Sequence, residues 1–448
     1  MSLRSWARQF FTANQLHECF QPLFYVTYFQ GLTPFYIKQD PNGIKRLKNS
    51  VFGYINALFH IIMYGACYAL TLVNNCESVV GYFFRTRVSY VGDFMQVLSG
   101  FIGVTVIYIS AIVPKHRLEK VLTLYCFIDD QLKDIGVEIN YSKIYRYAYG
   151  LMISLLILNS VYIVGCFELM KSVDIRPSMA LYVTFVLQHS VLSVAMSLYS
   201  CVTRTLEMRI VMLNQVLKNL SNQWENRKIR SISAKSRSLN CLDSFSMYTI
   251  VTKNPCEIIH ESMEIHHLIC EAASTANKYF TYQLLTIISI AFLIIVFDAY
   301  YVLETLLGKS KRESKFKTVE FVTFFSCQMI LYLIAIISIV EGSNRAIKKS
   351  EQTGGIVHGL LNKAKSPDVK EKLQQFSMQL MHLKINFTAA GLFNIDRTLY
   401  FTISGALTTY LIILLQFTSS APNGSVPCSF GQNGNITAIG NATIAPNN

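Results

Sequence analysis

FTYQLLTIISIAFLIIVFDAYYVL, residues 280–303, runs for 24 positions with a single charged side chain, Asp298. As a helix it would reach ~36 Å at 1.5 Å per residue, more than the ~30 Å of a bilayer's hydrocarbon core. Ile, Leu and Phe cover every face of that helix, so no polar stripe is left for water. Six more stretches of this kind lie on either side of it, at 51–74, 90–113, 147–169, 179–202, 319–340 and 397–417. The last is the most polar, interrupted by Thr402, Ser404, Thr408, Thr409 and Gln416. The first starts too far along the chain for a cleaved secretory signal and reads as a signal anchor. Composition agrees: of 448 residues 52% are hydrophobic and 15% charged, with a mean hydropathy of +0.34. A soluble chain carries about 25% charged residues to wet its surface. The expected fold class is all-α, with seven transmembrane helices.

Basic residues accumulate on the cytosolic side of membrane proteins, so they set the orientation. Segments 1–50, 114–144, 203–278 and 342–375 together hold 28 Lys and Arg, against nine in the alternate loops and the tail. This puts the N-terminus inside and, after seven spans, the C-terminus outside. The tail agrees independently. Beyond Phe417 there is no charged residue, and Asn423, Asn435 and Asn441 each begin an N-glycosylation sequon. Asn140 also begins one, in a loop read as cytosolic, where it is a chance occurrence. The net charge of +13 follows from cytosolic Lys and Arg beside anionic lipid headgroups and calls for no nucleic-acid partner. Among the eleven cysteines, Cys76 and Cys428 fall on the outer side, where they could pair, although Cys428 sits in the tail.

The expected organisation is a cytosolic segment 1–50, helices one to four over 51–202, and cytosolic helical extensions with a linker over 203–279. Helices five and six follow over 280–341, then a cytosolic anchor region 342–396, a seventh helix 397–417, and a glycosylated tail 418–448. Ile258, Ile259, Met263, His266, Ile269, Cys270 and Ala273 recur near helical spacing behind Pro255, which suits a helix's first turn. The fifth span is thus expected to continue far into the cytosol. Leu206, Ile210, Leu213 and Leu217 extend the fourth span in the same way. Residues 221–240 read as a linker and 370–386 as an amphipathic helix carrying Leu373, Phe376, Leu380 and Leu383. Asp396 is placed to cap the last span. Such extensions can bundle below the membrane and form a platform for oligomerisation.

No zinc-protease helix, P-loop, nucleophile elbow or dinucleotide fingerprint is present, so neither an enzyme nor a bound cofactor is expected. His260, His266 and His267 with Cys256 and Cys270 come nearest to a metal cluster. His267 and Cys270 share a helix face, but no second pair or acidic partner is in register, and packing explains them better. More telling are polar groups in the outer halves of the spans: Asp93 and Gln96; Tyr162 and Glu168; Tyr182, Gln188 and His189; Asp298, Tyr301 and Glu304; Glu320 and Gln328. Ionisable groups near a bilayer are costly and mark function, and aromatic bodies with polar tips suit a small polar ligand. The plainer reading is interfacial anchoring, where Tyr is common. In the seventh span Thr402, Thr409 and Gln416 fall on an i, i+7 stripe, with Tyr410 and Phe417 one position on. A hydroxyl-lined stripe of this kind suits a hydrated pore closed by an apolar ring, or helix packing through Thr and Ser.

The run Thr409-Tyr410-Leu411-Ile412-Ile413-Leu414-Leu415-Gln416-Phe417 resembles the signature that ends the seventh helix of insect gustatory receptors. Ala389 to Leu399 resembles that family's lead-in to the helix. Cys241 to Tyr248 and Asp298 to Glu304 are similar to one subgroup of these receptors. The resemblance implies a homotetrameric, ligand-gated, non-selective cation channel in the plasma membrane of sensory neurons, alone or with other gustatory receptors. Gln416 and Phe417 match the pore motif, with Phe417 as hydrophobic gate and Thr409 and Tyr410 at the motif's start. It also implies tastants such as ribonucleosides or aversive compounds, with links to warmth and light. No pocket motif exists to transfer, so Asp93, Gln96, Tyr162, Tyr182, Gln188, His189, Asp298, Tyr301, Glu304 and Gln328 stand on topology and chemistry. The rivals are a G-protein-coupled receptor, which puts the N-terminus outside, and a secondary transporter, which needs paired broken helices in two halves. Only one break, at 391–396, is visible here.

Overall fold

Each apolar stretch becomes a helix, and three continue well past the bilayer. The computed structural model describes residues 13–39, 45–73, 87–172, 178–230, 254–307 and 318–420. A short helix α1 (Leu16–Phe29) and an antiparallel hairpin, β1 (Phe35–Gln39) with β2 (Lys45–Asn49), precede the first span. The spans are α2 (Val51–Val73), α3 (Arg87–Ile112), α5 (Tyr141–Ser172), α6 (Met179–Arg230), α7 (Pro255–Leu306), α8 (Thr318–Lys363) and α10 (Thr398–Ser420). Between them lie α4 (Lys115–Asp134), α9 (Pro367–His382) and a two-residue hairpin, β3 (Thr388–Ala389) with β4 (Phe393–Asn394).

Helices α6 and α7 have 52 residues each and α8 has 46. At 1.5 Å per residue, 52 residues reach ~78 Å, so roughly half of each lies beyond the hydrocarbon layer. Helix α7 begins where Asn254 accepts a bond from the Cys256 N–H and Pro255 takes the first helical position. It is the central helix, packed against α3, α4, α6, α8, α9 and α10. Beyond the bilayer Ile258, Ile265, Ile269 and Ala273 of α7 are buried with Leu206, Leu213 and Leu217 of α6. Asn214 stitches α6 to α8, donating to the Lys349 carbonyl at 2.8 Å and accepting from Thr353 at 2.7 Å.

Several boundaries differ from the expectations. Residues 221–230, expected as linker, continue α6, because they contain neither Gly nor Pro and Trp224 packs on the core. Positions 231–240 lie outside the described residues. The amphipathic helix spans Pro367–His382 instead of 370–386: Pro367 starts it, and Leu383 is already extended. Helix α4 was not foreseen, although Leu118, Val121, Leu122, Tyr125, Ile128 and Leu132 bury one face at helical spacing. It supplies Asp129, which pairs with Arg209 of α6 at 2.6 Å, both about 1% exposed. Tyr141 donates to the same carboxylate at 3.0 Å, and the Arg209 guanidinium lies 4.5 Å from the Tyr125 ring centroid. Burial pushes the neighbouring Cys126 thiol up to about 11, so it stays protonated at neutral pH.

The histidine–cysteine group resolves into packing. His266 is buried against Phe376 of α9, and the Cys270 sulfur lies 3.6 Å from its Nε2. His267, placed on the Cys270 face from sequence, is exposed. Among the described residues no group of three metal-ligating side chains converges. Cys76, Cys428 and the three sequons lie outside the described residues.

Candidate functional site

Helix α8 carries Phe321, Phe324, Phe325, Gln328 and Tyr332 at steps of three and four, which puts them on one face. That face meets Tyr162 of α5, Phe185 and His189 of α6, and Phe297, Tyr300 and Tyr301 of α7. Ring centroids are 5.7 Å apart for Tyr162–Phe185, 6.3 Å for Tyr162–Phe324 and 5.3 Å for Tyr301–Phe325. These are ordinary spacings for interacting aromatic rings. Helix α3 completes the enclosure through two glycines. A Cβ built at Gly92 would lie 2.6 Å from the Phe297 ring, and one at Gly100 2.9 Å from the Gln188 Cδ. Only the missing side chains let α6 and α7 approach so closely.

Polar groups are set into this shell. Asp298 has no exposed surface, and the Gln96 amide of α3 faces it. Neither Asp298 oxygen nor Gln96 Nε2 completes a hydrogen bond of normal geometry. His189 Nδ1 lies 2.9 Å from the Phe185 carbonyl oxygen, so it carries the proton. Nε2 is then the acceptor, and the Tyr332 hydroxyl donates to it at 3.4 Å. Buried polar groups without full complements of partners are costly in apolar surroundings, and are the groups a ligand would satisfy.

Of the residues proposed from sequence, Gln96, Tyr162, Gln188, His189, Asp298, Tyr301 and Gln328 fall on this shell. Tyr182 does not: it packs on Phe167, 4.1 Å between ring centroids, near the far ends of α5 and α6. Glu304 is buried beside Tyr300, more than a turn past Asp298. The side chains of Asp93 and Glu320 lie outside the described set, and Glu168 is exposed. Sequence reading missed Phe185, Phe297, Phe324, Phe325 and Tyr332. The spacing on α8 was a usable signal, but aromatic residues in an apolar span look alike until a neighbour supplies a polar partner.

The shell has a mechanical connection to α10. Leu411, Leu414 and Leu415 pack directly against it, and the Tyr410 ring meets Phe292 of α7 at 6.0 Å. The Thr402–Thr409–Gln416 stripe points away from that packed face, by the ~100° turn per residue of an α-helix. Thr402 and Thr409 donate to carbonyls four residues back and remain exposed, as do Gln416 and, at 65%, Phe417. At its start α10 is held by three devices. Asp396 accepts from the Thr398 N–H at 2.8 Å, the expected cap. Arg397 makes a two-pronged ion pair with Glu341 of α8, both distances 2.9 Å. The three-residue β3–β4 connection, 390–392, takes positive φ at Ala390 (51°) and Gly391 (74°), a conformation glycine favours, and is closed by the Leu392 N–H donating to the Ala389 carbonyl at 2.9 Å. Asn277 and Thr281 of α7 hold that hairpin through Thr388 and Ala390.

Comparison with known proteins places this architecture. The 7tm chemosensory receptor family model matches residues 20–420. Gustatory receptor 28b of Drosophila melanogaster is 69% identical over 94% of this chain and 90% of its own length. Gustatory receptor 28a of the same fly is 33% identical over 93% of this chain and 95% of its own. An olfactory receptor of Machilis hrabei, solved in complex with eugenol, superposes with a TM-score of 0.58 at 15% identity. That match covers 88% of this chain and 97% of the other, a likeness of fold. With seven apolar helices, a family match over nearly the whole length and these relatives, the chain is a multi-pass membrane protein of the insect gustatory branch of the 7tm chemosensory receptor family.

Proposed function

We propose that this chain is a tastant-gated, non-selective cation channel of the sensory-neuron plasma membrane, assembled as a homotetramer with its N-terminus inside and its C-terminus outside. The observation that carries this reading is the contact between the two halves of the site. His189, its ring centroid 5.4 Å from that of Tyr162, and Tyr332, which meets His189, border the aromatic cluster on which Leu411, Leu414 and Leu415 of α10 pack, and Asp298 follows Phe297 of that cluster on α7. A small molecule that satisfies those polar groups must displace rings on which α10 rests. Helix α10 is otherwise the least covered span, with hydroxyls and Gln416 on its open side. Four copies around an axis would cover that side and line a water-filled path, with Phe417 as its apolar constriction.

In this reading segments 51–202 and 280–341 form the sensing part, the extensions over 203–279 and 342–396 hold subunits together in the cytosol, and 397–417 lines the pore. The agonists are small polar or amphiphilic molecules, with nucleosides and aversive compounds first to try. Warmth and light are secondary modes to be tested on the same protein. The test is whole-cell current from cells expressing this chain alone, challenged with nucleosides, sugars and bitter compounds. Agonist-dependent current reversing near 0 mV is expected. Full surface expression without current under any of them, alone or with a second gustatory receptor, would sink the channel reading.

A further inference from the structure

A cavity of about 180 Å³ lies away from the aromatic shell, between α1, α5 and α6. Its walls are largely apolar, with Leu23 and Leu156 among them, and its polar lining is Gln30, Asn159, Ser160, Ser190, Ser193 and Ser197. Most of that lining is internally satisfied. Asn159 donates to the Leu155 carbonyl at 2.9 Å and bonds Ser193 at 3.1 Å, and the Gln30 amide nitrogen donates to Ser190. The Gln30 amide oxygen is different. It is buried and accepts no hydrogen bond. Its position is fixed, because the Gln30 carbonyl accepts from Tyr108 and Gly31, at φ +73°, turns the chain tightly against α2. An acceptor buried in this way wants a donor.

The cavity's outer rim is the lipid-facing side of α5, where Leu156, Ile157, Val161 and Val164 are exposed. An occupant therefore arrives dissolved in the bilayer. A cavity of ~150 Å³ takes a benzene ring, so this one suits a single substituted ring or a short alkyl chain. A free donor is required at one end only. We infer that this cleft is a small-molecule site, separate from the aromatic shell, for a membrane-dissolved alcohol or phenol whose hydroxyl donates to Gln30. The site stands whether or not the chain conducts ions.

The test uses the full-length protein in phosphatidylcholine nanodiscs and photolabelling with 3-azioctanol, followed by peptide mapping. Adducts are expected within 152–163 and 186–197. Thymol should suppress them at about tenfold lower concentration than p-cymene, its analogue without the hydroxyl, as loss of one buried hydrogen bond implies. In Gln30→Leu the two competitors should become equal. Ser160→Phe, which fills the cleft from its exposed rim, should abolish the adducts while leaving Gln30 in place. Cholesterol in the bilayer, which has the same chemistry in a larger body, should not displace the probe. Adducts spread over every lipid-facing helix and insensitive to thymol would overturn the site. A thymol advantage that survives Gln30→Leu would overturn the role of Gln30, and displacement by cholesterol the assignment to small occupants.

Discussion

Asp298 has no exposed surface, stands among Phe297, Tyr301 and Tyr162, and completes no hydrogen bond of normal geometry. Removing such a group should help the fold and harm the function. Asp298→Leu is expected to raise the stability of the purified protein by about 1–3 kcal/mol, the usual desolvation cost of an unsatisfied polar group. The same change should abolish the agonist response. Asp298→Asn keeps a polar tip and should shift potency by up to about one decade, from ~0.5–1.5 kcal/mol for a hydrogen bond between neutral groups. Thermal melts and dose–response curves on the same preparations decide it: a less stable Asp298→Leu with normal potency removes this residue from the site. Asp298, His189 and Gln96 were legible in sequence because a polar group in an apolar span has no cheap alternative place. Tyr182 was grouped with them from its depth and its polar-tipped ring, and only the Phe167 contact separates it. Tyr332 was invisible because its role rests on His189, 143 positions away.

At the level of elements, helix length was readable and helix partners were not. The extensions of α6 and α7 showed in Leu and Ile at helical spacing, whereas α4, short and charged on one face, read as a loop. Its partner Arg209 looked like one more basic residue. Breaking a buried ion pair from one side leaves an uncompensated charge, which costs about 3–5 kcal/mol. Asp129→Ala should therefore sharply lower the melting temperature. The double variant Asp129→Leu with Arg209→Met should recover most of the loss, and a double variant no better than the single one would contradict this account of the pair. The Glu341–Arg397 pair is half exposed and should matter little to stability. It ties α8, which carries the aromatic face, to the first residue before α10. Arg397→Gln is expected to leave the melting temperature close to the parent's and lower agonist efficacy, with the swap Glu341→Arg, Arg397→Glu restoring it. Unaltered gating in Arg397→Gln would assign the pair no part in transmission.

For the whole molecule, orientation and assembly are the consequential proposals. The basic-residue asymmetry and the Asn423, Asn435 and Asn441 sequons both support the proposal of an outer C-terminus. A C-terminal tag should therefore bind antibody on intact cells, and the protein's gel mobility should shift after N-glycosidase treatment. Labelling only after permeabilisation would overturn the topology and revive the G-protein-coupled alternative. The seven-helix fold was legible because the bilayer admits few solutions to a chain this apolar. The site was only half legible, since it is assembled from five helices whose mutual register no local pattern encodes. The central claim is that α10 lines a pore closed at Phe417, and surface-normalised basal current from the Phe417→Ala protein tests it most directly. Removing an aromatic ring from an apolar constriction should let water in and raise current without agonist, whereas Gln416→Ala should stay closed at rest. If Phe417 is only a lipid-facing anchor, Phe417→Ala will reach the surface and remain electrically silent, and that result would contradict the account.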